Sequence, residues 1–94
     1  MNDFSKNRID VLREKIDAVD AELLDALNRR AGFVIEVGLI KQQLQAQILD
    51  SNRETRLIAR LLELNRGPLK DEMVQRLFQY IIETLKQLQS SYPG

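Results

Sequence analysis

The sequence predicts an all-α fold with three helices per chain, a very long first helix, and an intertwined homodimer as the folded unit. Three observations carry that expectation. A proline-free span from Lys6 to Leu44 keeps apolar residues at three-four spacing. Two shorter amphipathic segments follow, divided by Asn65-Arg66-Gly67-Pro68. Finally, 94 residues make one domain, and a chain of that length builds only a marginal core from a single copy.

The first helix is predicted over residues 6–44. Its stripe reads Ile9, Leu12, Ile16, Val19, Leu23, Ala26, Phe33, Val37, Ile40 and Leu44. Gly32 and Gly38 fall inside it, where each costs up to about 1 kcal/mol relative to alanine, so they weaken the helix locally or mark a close backbone approach. A helix of nearly forty residues is roughly 60 Å long, against a radius of gyration of about 12 Å for a compact chain of this size. It must overhang its own globule, and its stripe runs the full length. A second copy of the chain is the simplest cover, so dimerisation follows from length and pattern.

The glutamine-rich stretch 42–47 is expected to fray, and Ile48-Leu49-Asp50 to form a short connection. A second helix, 51–65, is signalled by Ser51 and Glu54 in capping-box spacing and by Leu57, Ile58, Leu61, Leu62 and Leu64. Asn65-Arg66-Gly67-Pro68 ends it, with glycine read at C′ and proline beyond. The third helix, 70–89, opens with Asp71 and Glu72 where acidic groups suit the helix dipole, and its stripe is Val74, Leu77, Phe78, Ile81, Leu85 and Leu88. Residues 90–94 read as a turn-like linker, so the 1–94 domain could be joined covalently to another enzyme.

Composition narrows the chemistry. The chain has no cysteine and no histidine, which removes disulfides, the common zinc sites and Cys-His or Ser-His catalysis, and no cofactor or metal is expected. Fourteen basic residues balance fourteen acidic ones, so no nucleic-acid or membrane-surface partner is implied. No apolar run is long enough to span a bilayer, and a cytoplasmic location is the default expectation.

Arg30 stands in the apolar register of the first helix, and Lys41 follows eleven residues later. Eleven steps of 100° return to within about 20° of the start, so Arg30, Val34, Val37 and Lys41 share one line, two cations flanking an apolar floor. Two buried cations make sense around an anionic ligand. The alternative is that both snorkel to water or pair with Glu36 or Asp50, and spacing alone favours it. Arg13 lies about 25 Å from Arg30 along the helix, so the two meet one small ligand only across an antiparallel dimer. Otherwise Arg13 is a surface arginine beside Asp10, Asp17 or Asp20. Asp50, Arg53 and Glu54 cluster at the start of the second helix, where a carboxylate accepts from a hydroxyl and an arginine meets a carboxylate, although Asp50 and Glu54 also serve as capping groups. Gln89 reads as solvent-exposed.

In order, Leu12-Arg13-Glu14-Lys15-Ile16-Asp17, Asn28-Arg29-Arg30, Glu36-Val37-Gly38-Leu39-Ile40-Lys41, Asp50-Ser51-Asn52-Arg53-Glu54, and Phe78-Gln79-Tyr80-Ile81-Ile82-Glu83 with Gln89 resemble the motifs of the all-helical chorismate mutases. The resemblance covers nearly the whole chain. It implies that chorismate and prephenate are substrate and product. Arg30 and the other subunit's Arg13 would hold the two carboxylates, with Arg53 in support. Lys41 and Gln89 would donate to the ether oxygen, Glu54 would hold the ring hydroxyl, Asp50 would assist, and Val37 would line the floor. Arg30, Lys41 and Gln89 would be the catalytic groups. The implied reaction is a [3,3] rearrangement without nucleophile, metal or obligatory proton transfer, which suits a chain without histidine or cysteine.

The chain departs from the family pattern at Leu85, where a small or hydroxyl residue is usual, which would narrow the site or remove a carboxylate contact. Leu39 replaces a common lysine. Three other readings stand beside the mutase: isochorismate pyruvate-lyase, a mutase-like regulatory domain of a fused aromatic-pathway enzyme, and a ligand-free dimeric helical module. The last leaves Arg30 in the apolar register unexplained.

Overall fold

The structure, a computed structural model, describes residues 3–44 and 52–91, without the side chains of Ser90 and Ser91. Among the described residues the secondary structure is three helices: α1 (Asp3–Gln43), α2 (Arg53–Leu64) and α3 (Asp71–Ser91). α1 is continuous for 41 residues, through both Gly32 and Gly38. It begins three residues before the expected start, with Asp3 in its first turn, and carries Lys41 in its last, both favourable to the helix dipole.

The chain divides into two compact units, Met1–Gly32 and Phe33–Gly94. Within the first unit the described structure is the leading part of α1. Its apolar stripe is open: Leu12, Ile16, Val19 and Leu23 are 52, 57, 58 and 53% exposed. One helix cannot bury its own stripe, and among the described residues nothing else in this unit covers it.

The second unit holds the end of α1 with α2 and α3. α2 and α3 pack against each other. Val74 and Ile82, 6 and 5% exposed, form their core, with Leu57, Ile58, Leu61 and Leu62 of α2 and Phe78, Ile81, Leu85 and Leu88 of α3 half-buried around them. The expected stripes of α2 and α3 therefore need three corrections. Ile82 is a core residue, while Leu77, at 51%, is exposed because it lies about 140° around the helix from Ile82, outside the face that Val74 and Ile82 bury. Leu64, in the last turn of α2, is also exposed.

The α2 to α3 connection is organised by Asn65. Its Nδ2 donates to Leu69 O and to Asp71 Oδ1, both at 2.9 Å, and its Oδ1 accepts from Gly67 N at 3.1 Å. One side chain thus closes the turn and holds the first residue of α3. Gly67 has φ +74°, a left-handed conformation that suits glycine, but Asn65 is the C-cap, so the glycine stands at C″ and not at C′. The other end of α2 also differs from expectation. The helix starts at Arg53 with Asn52 as N-cap and no side-chain capping bond, and Glu54 is engaged elsewhere. Ser51 and Asp50, with the expected connection, lie outside the described residues. Ser90 and Ser91, expected in a turn-like tail, are helical. No helix is long and apolar enough to cross a membrane among the described residues.

Candidate active site

α1 and α3 approach closely at Gly38, which is buried. A Cβ placed there would lie 3.1 Å from Gln89 Cγ and 3.2 Å from Gln89 Cβ, so the absent side chain is what admits Gln89. Gln89 then turns its amide onto α1, and Nε2 donates to Val34 O at 3.2 Å across 55 residues of chain. This bond assigns the amide, since only the nitrogen side can face a carbonyl oxygen. A primary amide has two N–H groups, and one remains for another acceptor. Lys41 lies one turn beyond Gly38, within about 60° of it around the helix, and is half-buried. The second unit therefore brings Gln89 onto the segment of α1 that carries Lys41. Val37, beside Gly38, is 46% exposed. Leu85, one turn before Gln89 on α3, is half-buried and contributes an apolar surface.

At the start of α2 the half-buried Glu54 accepts a hydrogen bond and ion pair from Lys86 Nζ of α3. Lys86 also lies 3.8 Å from Glu83 Oε1. Its proton is held more tightly than an ordinary lysine's, first through the hydrogen bond and charge of Glu54 and to a smaller extent through Glu83, against a small desolvation effect. The stability linked to the Lys86 proton is therefore fully present below the ordinary lysine value of 10.5, and is lost as pH rises beyond that. Arg53, one residue before Glu54, is exposed. A groove of about 560 Å³ runs between α2 and α3, lined by Glu54, Ile58, Leu62, Gln75, Gln79 and Ile82. Glu54 is the one expected site residue among its lining.

In the first unit, Arg13 is exposed and Arg30 half-buried. Among the described residues, Arg13, Arg30, Lys41 and Arg53 have no ion-pair partner, so the pairing of Arg30 or Lys41 with Glu36 is not adopted. The groups that could hold a dianion keep their charge free, while the acidic Glu54 is anchored. No cluster of acidic side chains suited to a metal ion occurs among the described residues.

Sequence reasoning missed Lys86 and Asn65. Lys86 sits 32 residues from Glu54 on an exposed helical position, and only the packing of α2 on α3 reveals their pairing. Asn65 had a signal in its turn-forming type, but the adjoining Gly67-Pro68 accounted for the helix end without it.

Comparison with known proteins places these features in a wider set. The family profile described as chorismate mutase type II matches residues 12–90. The bifunctional chorismate mutase/prephenate dehydratase of Escherichia coli (strain K12) is 40% identical over 80 residues, covering 84% of this chain and 21% of that protein. The chain spans about a fifth of the length of such curated relatives. The solved structure of chorismate mutase (form II) from Thermus thermophilus superposes with a TM-score of 0.85 at 32% identity, covering 93% of this chain and 99% of that one. The chorismate mutase of Helicobacter pylori in complex with prephenate gives 0.80 at 27% identity, over 90% of this chain and 92% of that one.

Proposed function

Since the chain belongs to the chorismate mutase type II family, we propose that it catalyses the [3,3] rearrangement of chorismate to prephenate in a site completed by a second copy of itself. The observation that carries this reading is the Gln89 to Val34 bond over Gly38, which sets a neutral donor on the α1 segment bearing Lys41. The reaction breaks a C–O bond while a C–C bond forms, and negative charge builds on the ether oxygen in the transition state. A lysine ammonium and an amide N–H aimed at that oxygen stabilise the transition state more than the substrate. Gln89 retains a free N–H for that contact while Val34 fixes its plane.

The remaining roles follow from charge and position. Arg30 and the partner subunit's Arg13 clamp the two carboxylates, Arg53 supports one of them, and Val37 forms the floor. Together they favour the chair-like conformer that reacts. Glu54 accepts the ring hydroxyl, with Asp50 assisting. Leu85 adds apolar surface beside Gln89. The open stripe Leu12, Ile16, Val19 and Leu23 supports the shared site, because a partner's helix would cover it and bring Arg13 to the opposite pocket. All the proposed residues, from Arg13 to Gln89, lie within the matched segment, so the same site would serve a free-standing chain or one fused to a further pathway enzyme, as in the bifunctional relative.

Incubation of the purified chain with chorismate and, separately, with isochorismate, with identification of products, tests the proposal. Prephenate is expected in an amount equal to the chorismate lost. Conversion of isochorismate to pyruvate and a hydroxybenzoate, with chorismate left intact, would support the lyase instead. Binding without turnover would identify a regulatory domain.

A further inference from the structure

The roles above leave Lys86 unassigned, although it makes the direct tie between the start of α2 and the last turns of α3. We propose that Lys86 is a positioning residue for Glu54, holding Oε1 of its carboxylate so that Oε2 faces the substrate's ring hydroxyl. The proposal rests on the mutase reading. An unheld glutamate side chain samples several rotamers, and ordering it costs conformational entropy that would otherwise be drawn from substrate binding. Glu54 is 44% exposed at its side chain, so packing alone does not fix it. A carboxylate has two acceptor oxygens, and an ammonium engaged at one leaves the other able to accept from a hydroxyl. Glu83, one turn before Lys86 and 3.8 Å from it, steadies the ammonium from its own helix, so the lysine reaches Glu54 from a prearranged position.

The pair is a poor source of stability. An ion pair exposed at both ends contributes little to folding, and Lys86→Met should remain folded. Its effect belongs in kinetics. A hydroxyl bond made alike in substrate and transition state is uniform binding, so its loss raises KM and leaves kcat nearly unchanged. Steady-state kinetics with chorismate on the full chain, for Lys86→Met, Lys86→Arg, Glu54→Gln and the Glu54→Gln/Lys86→Met double variant, tests this.

Lys86→Met is expected to raise KM about tenfold with kcat within about twofold, the loss of roughly one well-placed hydrogen bond. Lys86→Arg should restore most of it, and in the Glu54→Gln background the lysine change should add little further. A wild-type KM in Lys86→Met, or an equal additional loss in the Glu54→Gln background, would overturn the role. A lowered KM would also overturn it, by showing that Lys86 competes with substrate for Glu54. Failure of the wild-type chain to convert chorismate would instead remove the mutase reading and this role with it, an outcome distinct from an active enzyme indifferent to Lys86.

Discussion

At Gln89 the two N–H groups of one amide divide the work, one held by Val34 O and the other left for substrate. Replacing it by glutamate converts a donor into an acceptor when ionised, which would repel the charge forming on the ether oxygen. Gln89→Glu should therefore regain activity as pH falls toward the carboxyl's ordinary range near 4.3, visible in a kcat against pH profile, and a flat profile would place Gln89 outside the chemistry. Lys41→Ala should lower kcat about 10²- to 10³-fold with helicity by circular dichroism retained, and near-normal turnover would count against its role. Gly38→Ala sets two effects against each other. Alanine favours the helix by about 1 kcal/mol, but its methyl group would meet Gln89 at 3.1 Å and push the amide off line. The expected result is little change in melting temperature with kcat down about threefold to tenfold. The reading of Gly38 as a close-approach glycine was open from sequence; its neighbour was not, since helical spacing places residues around α1 but does not say which part of α3 lies against them.

At the scale of elements, periodicity and punctuation made the three helices legible, because apolar spacing, the acidic start of α3 and the Gly67-Pro68 break each act within one or two turns. Their ends were less legible. α3 runs through Ser91 because two serines do not stop a helix whose preceding turns are packed, and the end of α2 is set by a side chain, Asn65, whose acceptors Leu69 and Asp71 only the folded turn brings within 2.9 Å. Asn65→Ala removes both donated bonds and the one accepted from Gly67, and should destabilise the second unit by roughly 1–2 kcal/mol, read from the shift in a urea unfolding midpoint. An unchanged midpoint would mean that the Gly67-Pro68 backbone suffices. The Glu54 to Lys86 tie belongs to the same class of feature, a long-range consequence of packing that no local pattern encodes.

For the whole molecule, the open stripe of the first unit makes the strongest demand. Leu12, Ile16, Val19 and Leu23, each a little over half exposed, stand to gain about 1–1.5 kcal/mol apiece if covered, enough together to favour association. Ile16→Lys should therefore abolish both dimer and turnover, with sedimentation reporting the monomer. The central claim, that two chains build each site and that the site rearranges chorismate, is tested most directly by complementation. Arg13→Ala and Lys41→Ala chains, each inactive alone, would be unfolded together and refolded as a one-to-one mixture. If the partner supplies Arg13, half the dimers are hybrids with one intact site, and prephenate formation should recover to about a quarter of the wild-type rate. A mixture as inactive as its components would contradict the shared site.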